Sequence, residues 1–213
     1  MKDNFLRLVL VTNKTVQGIN EYLRFIELCI ESGVSSIQLR EKSWDDESFR
    51  FAESVQEILE RYKIPLIIND RVDITQRIGA SGVHLGQTDC EPKLARNILG
   101  EDKIIGLSVG SVAELEVANN MPIDYIGVGA IFETKTKPDV AHVIGIEQLK
   151  KLKVASKHKI VAIGGIAEHN AGDVIATGVD GIAVISAIHS SGNPKKTIES
   201  LLNLINMNQQ NIC

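Results

Sequence analysis

Cysteine is scarce in this sequence. There are three, Cys29, Cys90 and Cys213. Their number is odd and no two form a Cys-x-x-Cys pair, which argues against a disulfide framework and fits free thiols in a reducing compartment. Cys90 has no histidine or second cysteine at ligand spacing. Long apolar runs are also missing. The N-terminal run at Leu8–Val11, with its neighbours, is too short for a signal peptide or a membrane span. The expected location is therefore the cytoplasm, with no membrane association. Positive charge is not in excess: the net charge is −4. That excludes a broad nucleic-acid surface or a polybasic membrane patch, though not a local cationic site. No glycine-rich fingerprint follows the first apolar run, where the sequence reads Val11-Thr12-Asn13-Lys14. A doubly wound dinucleotide-binding sheet would place one there. No linker, low-complexity tract or second domain interrupts the chain.

What the chain does have is alternation. Short apolar runs at 6–11, 35–39, 65–69, 82–85, 103–107, 124–128, 160–163 and 180–184 read as strands. Each is followed by a helical stretch: 20–32, 45–62, 71–78, 92–99, 111–119, 145–155, 170–177 and 193 to about 205. In the first helix Leu23, Ile26, Leu28 and Ile30 form the apolar face, and Gly33 ends it. In the second, Phe49, Ala52, Val55, Ile58 and Leu59 recur at helical spacing, with Trp44 packing at its start. Ser111 and Glu114 form a capping box. Continuous rather than alternating apolar strands suit a parallel sheet covered on both faces. Eight βα units in 213 residues predict a single-domain (β/α)₈ TIM barrel over residues 1–205, followed by a frayed polar tail at 206–213.

Such a barrel keeps its chemistry at the C-terminal ends of its strands, and polar residues gather there. In chain order they are Gln38-Leu39-Arg40-Glu41-Lys42, Asn69-Asp70, the 84–89 segment ending in Asp89, Ser108, Thr134-Lys135-Thr136-Lys137, Gly164-Gly165 and Ile185-Ser186. A strand opening into a loop with two lysines and two threonines can hold phosphate oxygens. Gly164-Gly165 lets backbone amides approach an anion closely, and Ser186 adds a hydroxyl. Asp70 and Asp89 come from adjacent strands, and two carboxylates plus substrate phosphates are the usual way to hold Mg²⁺. Arg40, Lys42 and Lys137 surround the same space. Each feature also has an ordinary reading: the 134–137 segment as a solvated turn, Gly164-Gly165 as a tight turn, Asp70 and Asp89 as caps for following helices, Arg40–Glu41 as a surface ion pair. His84 reads as a core histidine bonded to backbone; the alternative is orientation of the metal site.

Taken together, these segments resemble the thiamine-phosphate synthase family over about residues 6–205. The resemblance rests on Gln38-Leu-Arg-Glu-Lys42, Ile68-Asn-Asp70, Gly82-Val-His-Leu-Gly-Gln-Thr-Asp89, Tyr125-Ile-Gly-Val-Gly129 with Thr134-Lys-Thr-Lys-Pro138, and Ile163-Gly-Gly-Ile166. It implies that Gln38, Arg40, Lys42, Asn69, Ser108 and Lys137 contact a hydroxymethylpyrimidine diphosphate, with Leu39 and Glu41 inside the same motif. It implies Mg²⁺ on Asp70 and Asp89. It places a thiazole phosphate on Thr134, Lys135, Thr136, Gly165, Ile185 and Ser186. Two positions depart from the family pattern: Val109-Gly110-Ser111 where a histidine-containing loop is common, and Glu133 where a proline is common.

The implied reaction is a transferase reaction between two small molecules. Diphosphate leaves a pyrimidine methylene carbon and the thiazole nitrogen attacks the resulting cation. Arg40, Lys42, Ser108 and Lys137 are the expected catalytic residues, acting by electrostatics and positioning rather than as nucleophiles. A thiazole tautomerase, a phosphosugar isomerase and a silent ligand-binding regulator are the rival readings. The 129–144 loop is a candidate lid, and a homo-oligomer is left open.

Overall fold

The computed structural model describes residues 4–13, 18–41, 43–134 and 143–210, with the backbone alone at 208–210. In chain order the elements are β1 (Leu8–Val11), α1 (Ile19–Glu31), β2 (Ser36–Leu39), α2 (Asp46–Tyr62), β3 (Leu66–Asn69), α3 (Val72–Ile78), β4 (Gly82–Leu85), α4 (Pro92–Leu99), β5 (Ile104–Val109), α5 (Val112–Ala118), β6 (Tyr125–Val128), α6 (Gly145–Ala155), β7 (Lys159–Ile163), α7 (Ala171–Ile175), β8 (Gly181–Val184), α8 (Ser186–His189) and α9 (Pro194–Gln210). The eight strands are parallel and form a closed barrel in sequence order. Closure comes where Val9 of β1 pairs with Ala183 of β8. The expected TIM barrel is what the chain forms.

The apolar runs are continuous because each strand buries both faces. On β1, Leu8 and Leu10 point out under the helices, while Val9 and Val11 point into the barrel. On β2, Ile37 and Leu39 belong to the outer layer. Fully burying one such side chain stabilises the fold by about 1.5–3 kcal/mol. The barrel interior is closed at its N-terminal end by Phe5, which meets the Tyr125 ring edge-on at 5.9 Å. Asp124 and Asp180 each accept the N–H of the second residue of a neighbouring strand, Ile105 of β5 and Ile160 of β7, at 2.8 Å. Asp124 is also bonded to Arg96 and Asp180 to Lys153.

Several expectations change in detail. Leu28 is not on the buried face of α1, being 38% exposed; Tyr22 and Cys29 take that face with Ile26 and Ile30. Strand β5 runs two residues further, so Ser108 and Val109 lie within it and Ser108 pairs with Gly127. The capping box is half formed. Ser111 accepts the Glu114 N–H, but the Glu114 carboxylate reaches the Gly110 N–H at 2.6 Å instead of closing on Ser111. A four-residue helix, α8, follows β8 and was not expected. The last helix continues to Gln210, into the stretch expected to fray. Trp44 packs against Phe49 at the start of α2, as the sequence suggested. Among the described residues no helix is long and apolar enough to cross a membrane.

Candidate active site

A cavity of about 190 Å³ opens among the C-terminal ends of the strands. Strand parity decides who reaches it. On β2, Gln38 points inward between the outward Ile37 and Leu39, and Arg40 follows at the rim. Asn69 at the end of β3, Ser108 on β5, Thr134, Gly165, Ile185 and Ser186 complete the expected residues that line it. Leu39 does not line it. Its side chain is fully buried in the layer under the helices. Glu41, Asp70 and Asp89 lie outside the lining. Lys42, Lys135, Thr136 and Lys137 lie outside the described residues.

Residues to which no substrate contact was assigned supply much of the wall: His84, read as core; Gln87 of the 84–89 segment; Val109 and Gly110 of the departure from the family pattern; and Glu114 of the capping box. His84 is buried, as its apolar strand suggested, but its two ring nitrogens meet side-chain hydroxyls where a backbone partner was expected. Its Nδ1 is 2.9 Å from the Tyr125 hydroxyl and its Nε2 is 3.0 Å from Ser108 Oγ. The Gln38 side chain bonds to the same tyrosine, whose own ionisation is pushed well up by burial. The ring fits because β5 and β6 present glycine there. A Cβ on Gly127 would sit 2.8 Å from His84 Cε1, and one on Gly106 would strike both the His84 and Tyr125 rings. The available signal was parity: His84 shares the inward face with Gly82, two residues before it. Gln87 spans from the β4 loop to β5 and donates to the Ser108 carbonyl at 2.6 Å.

The glycine pair after β7 does two things. Gly164 and Gly165 have φ of +101° and +68°, and a Cβ on Gly165 would lie 2.7 Å from the Glu133 carbonyl. The pair thus lets the 130–134 segment pack over it while keeping its backbone at the cavity wall. Asn170 steadies it by donating to the Gly165 carbonyl and accepting from the Ala167 N–H. Beside it, α8 begins at Ser186. The first N–H groups of a helix have no partner within it and favour an anion.

The two carboxylates stand at the ends of neighbouring strands. Asp70 has a left-handed backbone, φ 67°, and its N–H donates to the His84 carbonyl. It does not cap α3: Arg71 holds that position, without a side-chain cap. Asp89 Oδ2 accepts the Gly86 N–H at 2.7 Å, and the N-cap of α4 is Glu91. Among the described residues no three His, Cys, Asp or Glu side chains converge on a metal position. Two hard oxygen donors fit a cation that takes its remaining ligands from substrate phosphates and water, as Mg²⁺ does.

Comparison with known proteins bears on this geometry. A family model described as thiamine monophosphate synthase matches residues 8–188. The chain belongs to the thiamine monophosphate synthase family. Relatives in this family include a thiamine-phosphate synthase of Chlamydia abortus, 44% identical over 206 residues that cover 96% of this chain and 97% of the relative. One from Clostridium botulinum strain Kyoto is 46% identical over 196 residues, 92% of this chain and 96% of the relative. Among solved structures, a thiamine phosphate pyrophosphorylase from Pyrococcus furiosus superposes with a TM-score of 0.87 at 33% identity, covering 97% of this chain and 98% of that one. The resemblance seen in the strand-end segments is therefore one of family, and the chain is an enzyme of that family.

Proposed function

We propose that this enzyme joins hydroxymethylpyrimidine diphosphate to thiazole phosphate, giving thiamine phosphate and diphosphate. The observation that carries this is the division of one cavity. Gln38, Arg40, Asn69 and Ser108 come from β2, β3 and β5 along one arc of the closed barrel, and Thr134, Gly165, Ile185 and Ser186 follow β6, β7 and β8 along the other. Two substrates held side by side are what a condensation needs, and orientation supplies a large part of the barrier reduction.

The C–O bond between the methylene and the diphosphate breaks, and its electron pair leaves with the diphosphate. Arg40, with Lys42 and Lys137, stabilises that developing charge. Asp70 and Asp89 would hold Mg²⁺, which supplies further charge neutralisation to the diphosphate when bound. Gln38 and Ser108 orient the pyrimidine, whose amino group spreads the positive charge left on the methylene. The thiazole nitrogen then donates its lone pair to that carbon. Thr134, Lys135, Thr136, the Gly165 amide and the start of α8 hold the thiazole phosphate so that the nitrogen faces inward. No side chain is required as nucleophile. Cys29, free and buried, fits a reducing cytoplasm.

The test is to incubate the purified protein with both substrates and Mg²⁺ and follow thiamine phosphate and diphosphate by chromatography, with EDTA in a parallel sample. Product with Mg²⁺ and none with EDTA supports the reading. Thiazole phosphate binding without product would favour a tautomerase or a regulator.

A further inference from the structure

Away from the cavity wall, a chain of hydrogen bonds crosses the rim above β1. Thr12 is fully buried. Its Oγ1 accepts the Arg40 N–H at 2.9 Å, and its own N–H donates to the Gln38 carbonyl. The next residue, Asn13, donates its N–H to the Tyr22 hydroxyl at 2.9 Å. That hydroxyl lies 2.7 Å from His189 Nε2, and His189 Nδ1 lies 2.8 Å from the Ile185 carbonyl. From Asn13 onward each donor meets an acceptor once the imidazole is neutral with its proton on Nδ1: Asn13 donates to Tyr22, Tyr22 donates to His189, and His189 donates to Ile185. The rings are held as well. Tyr22 stacks on Phe25 and His189 and tilts against Phe51.

The chain therefore joins Arg40, on one side of the cavity, to Ile185, the residue at which α8 starts on the other. Helix α8 has four residues, too few to fix its own direction, so its placement depends on such an external hold. We propose that Tyr22 and His189 are positioning residues for the thiazole-phosphate side: they set α8 against the end of β1, and so fix the spacing between the two halves of the cavity. Neither residue itself lines the cavity. This rests on the functional reading above.

The experiment compares Tyr22→Phe and His189→Ala with the wild type. Binding of thiazole phosphate is measured by calorimetry, KM for each substrate by turnover, and folding by thermal midpoint. Tyr22→Phe removes one oxygen and keeps the ring, so it remains readable if His189→Ala fails to fold. The expected result is a rise of about tenfold in the dissociation constant and KM for thiazole phosphate, the scale of one lost buried hydrogen bond. KM for the pyrimidine diphosphate stays unchanged, and the double variant is no worse than the worse single one, since both break the same chain. A lowered midpoint with unaltered thiazole phosphate affinity, or equal rises for both substrates, overturns the inference and leaves the functional reading standing. A wild type that binds no thiazole phosphate removes both.

Discussion

His84 Nε2 lies 3.0 Å from the hydroxyl of Ser108, one strand away on the barrel's inner face. This pair makes the serine's direction a property of the barrel core. With the Gln38 amide donating to the Tyr125 oxygen, the phenol donates to His84 Nδ1, the ring carries its proton on Nε2, and that proton goes to Ser108. The Ser108 O–H is then left to donate into the cavity. Tyr125→Phe removes the partner that selects this tautomer. We expect kcat to fall by about tenfold with KM little changed, because the loss concerns orientation. Gly127→Ala should do the same by a different route, pushing a Cβ to 2.8 Å from the ring. Steady-state kinetics on both variants decide it, and unchanged kcat in both would discard the orienting role.

How much of this was legible from residue order can be argued from the same strands. The barrel was, because each run had to bury two faces and so read as continuously apolar. The rim was, because polar residues followed each run. What escaped was side-chain direction. Leu39 sat in the most specific motif yet faces the helices, since period-two alternation applies inside a motif as elsewhere. His84 and Tyr125 each looked like core filling in separate strands, and only the closed register brings them within 2.9 Å. Ser108 ended β5 on hydropathy grounds, although a hydroxyl facing the barrel interior is no reason for pairing to stop. Helix α8 was too short to show any helical period at all.

Arg96 is a stability determinant remote from the cavity. Its guanidinium donates to the carbonyls of Gly100, Lys103 and Pro122 and to the Asp124 carboxylate, at 2.5–3.3 Å. Arg96→Met leaves those acceptors without their donor. The expected loss is about 2–4 kcal/mol, toward the low side for a broken buried pair because Asp124 keeps 44% of its side chain exposed. Arg96→Lys should recover little, since a point charge cannot replace the planar fork. Chemical denaturation measures this, and kcat/KM of the folded variant should match the wild type.

His189 gives stability a pH dependence with a definite sign. Burial holds its pKa below the ordinary 6.5. As the pH falls below 6.5 the unfolded chain takes up a proton that the folded chain refuses, so stability declines until the lowered folded value is reached. The groups around it do not titrate there: burial keeps the Tyr22 hydroxyl and the Cys29 thiol protonated across this range. The charge of Glu41 also acts on Tyr22, raising its pKa further. Urea midpoints at neutral pH and at about pH 5.5 should differ more in the wild type than in His189→Gln. An equal difference would assign the effect to other histidines.

Asp70 and Asp89 separate a cation's needs from the fold's. Asp70 has φ 67°, a region asparagine also accepts, so Asp70→Asn changes the charge and leaves the backbone in place. Asp89 carries a second duty through Oδ2, the acceptor for the Gly86 N–H. In Asp89→Asn the amide oxygen can keep that bond while the charge is gone; in Asp89→Ala both are lost. The Mg²⁺ concentration for half-maximal turnover should rise by about tenfold or more in each asparagine variant, with thermal midpoints near the wild type. Asp89→Ala should show the same rise and a lower midpoint, because the Gly86 amide loses its acceptor. A Mg²⁺ requirement unchanged in both asparagine variants would place the cation elsewhere, and Arg40, Lys42 and Lys137 would then stabilise the departing diphosphate without help from a cation on these two carboxylates.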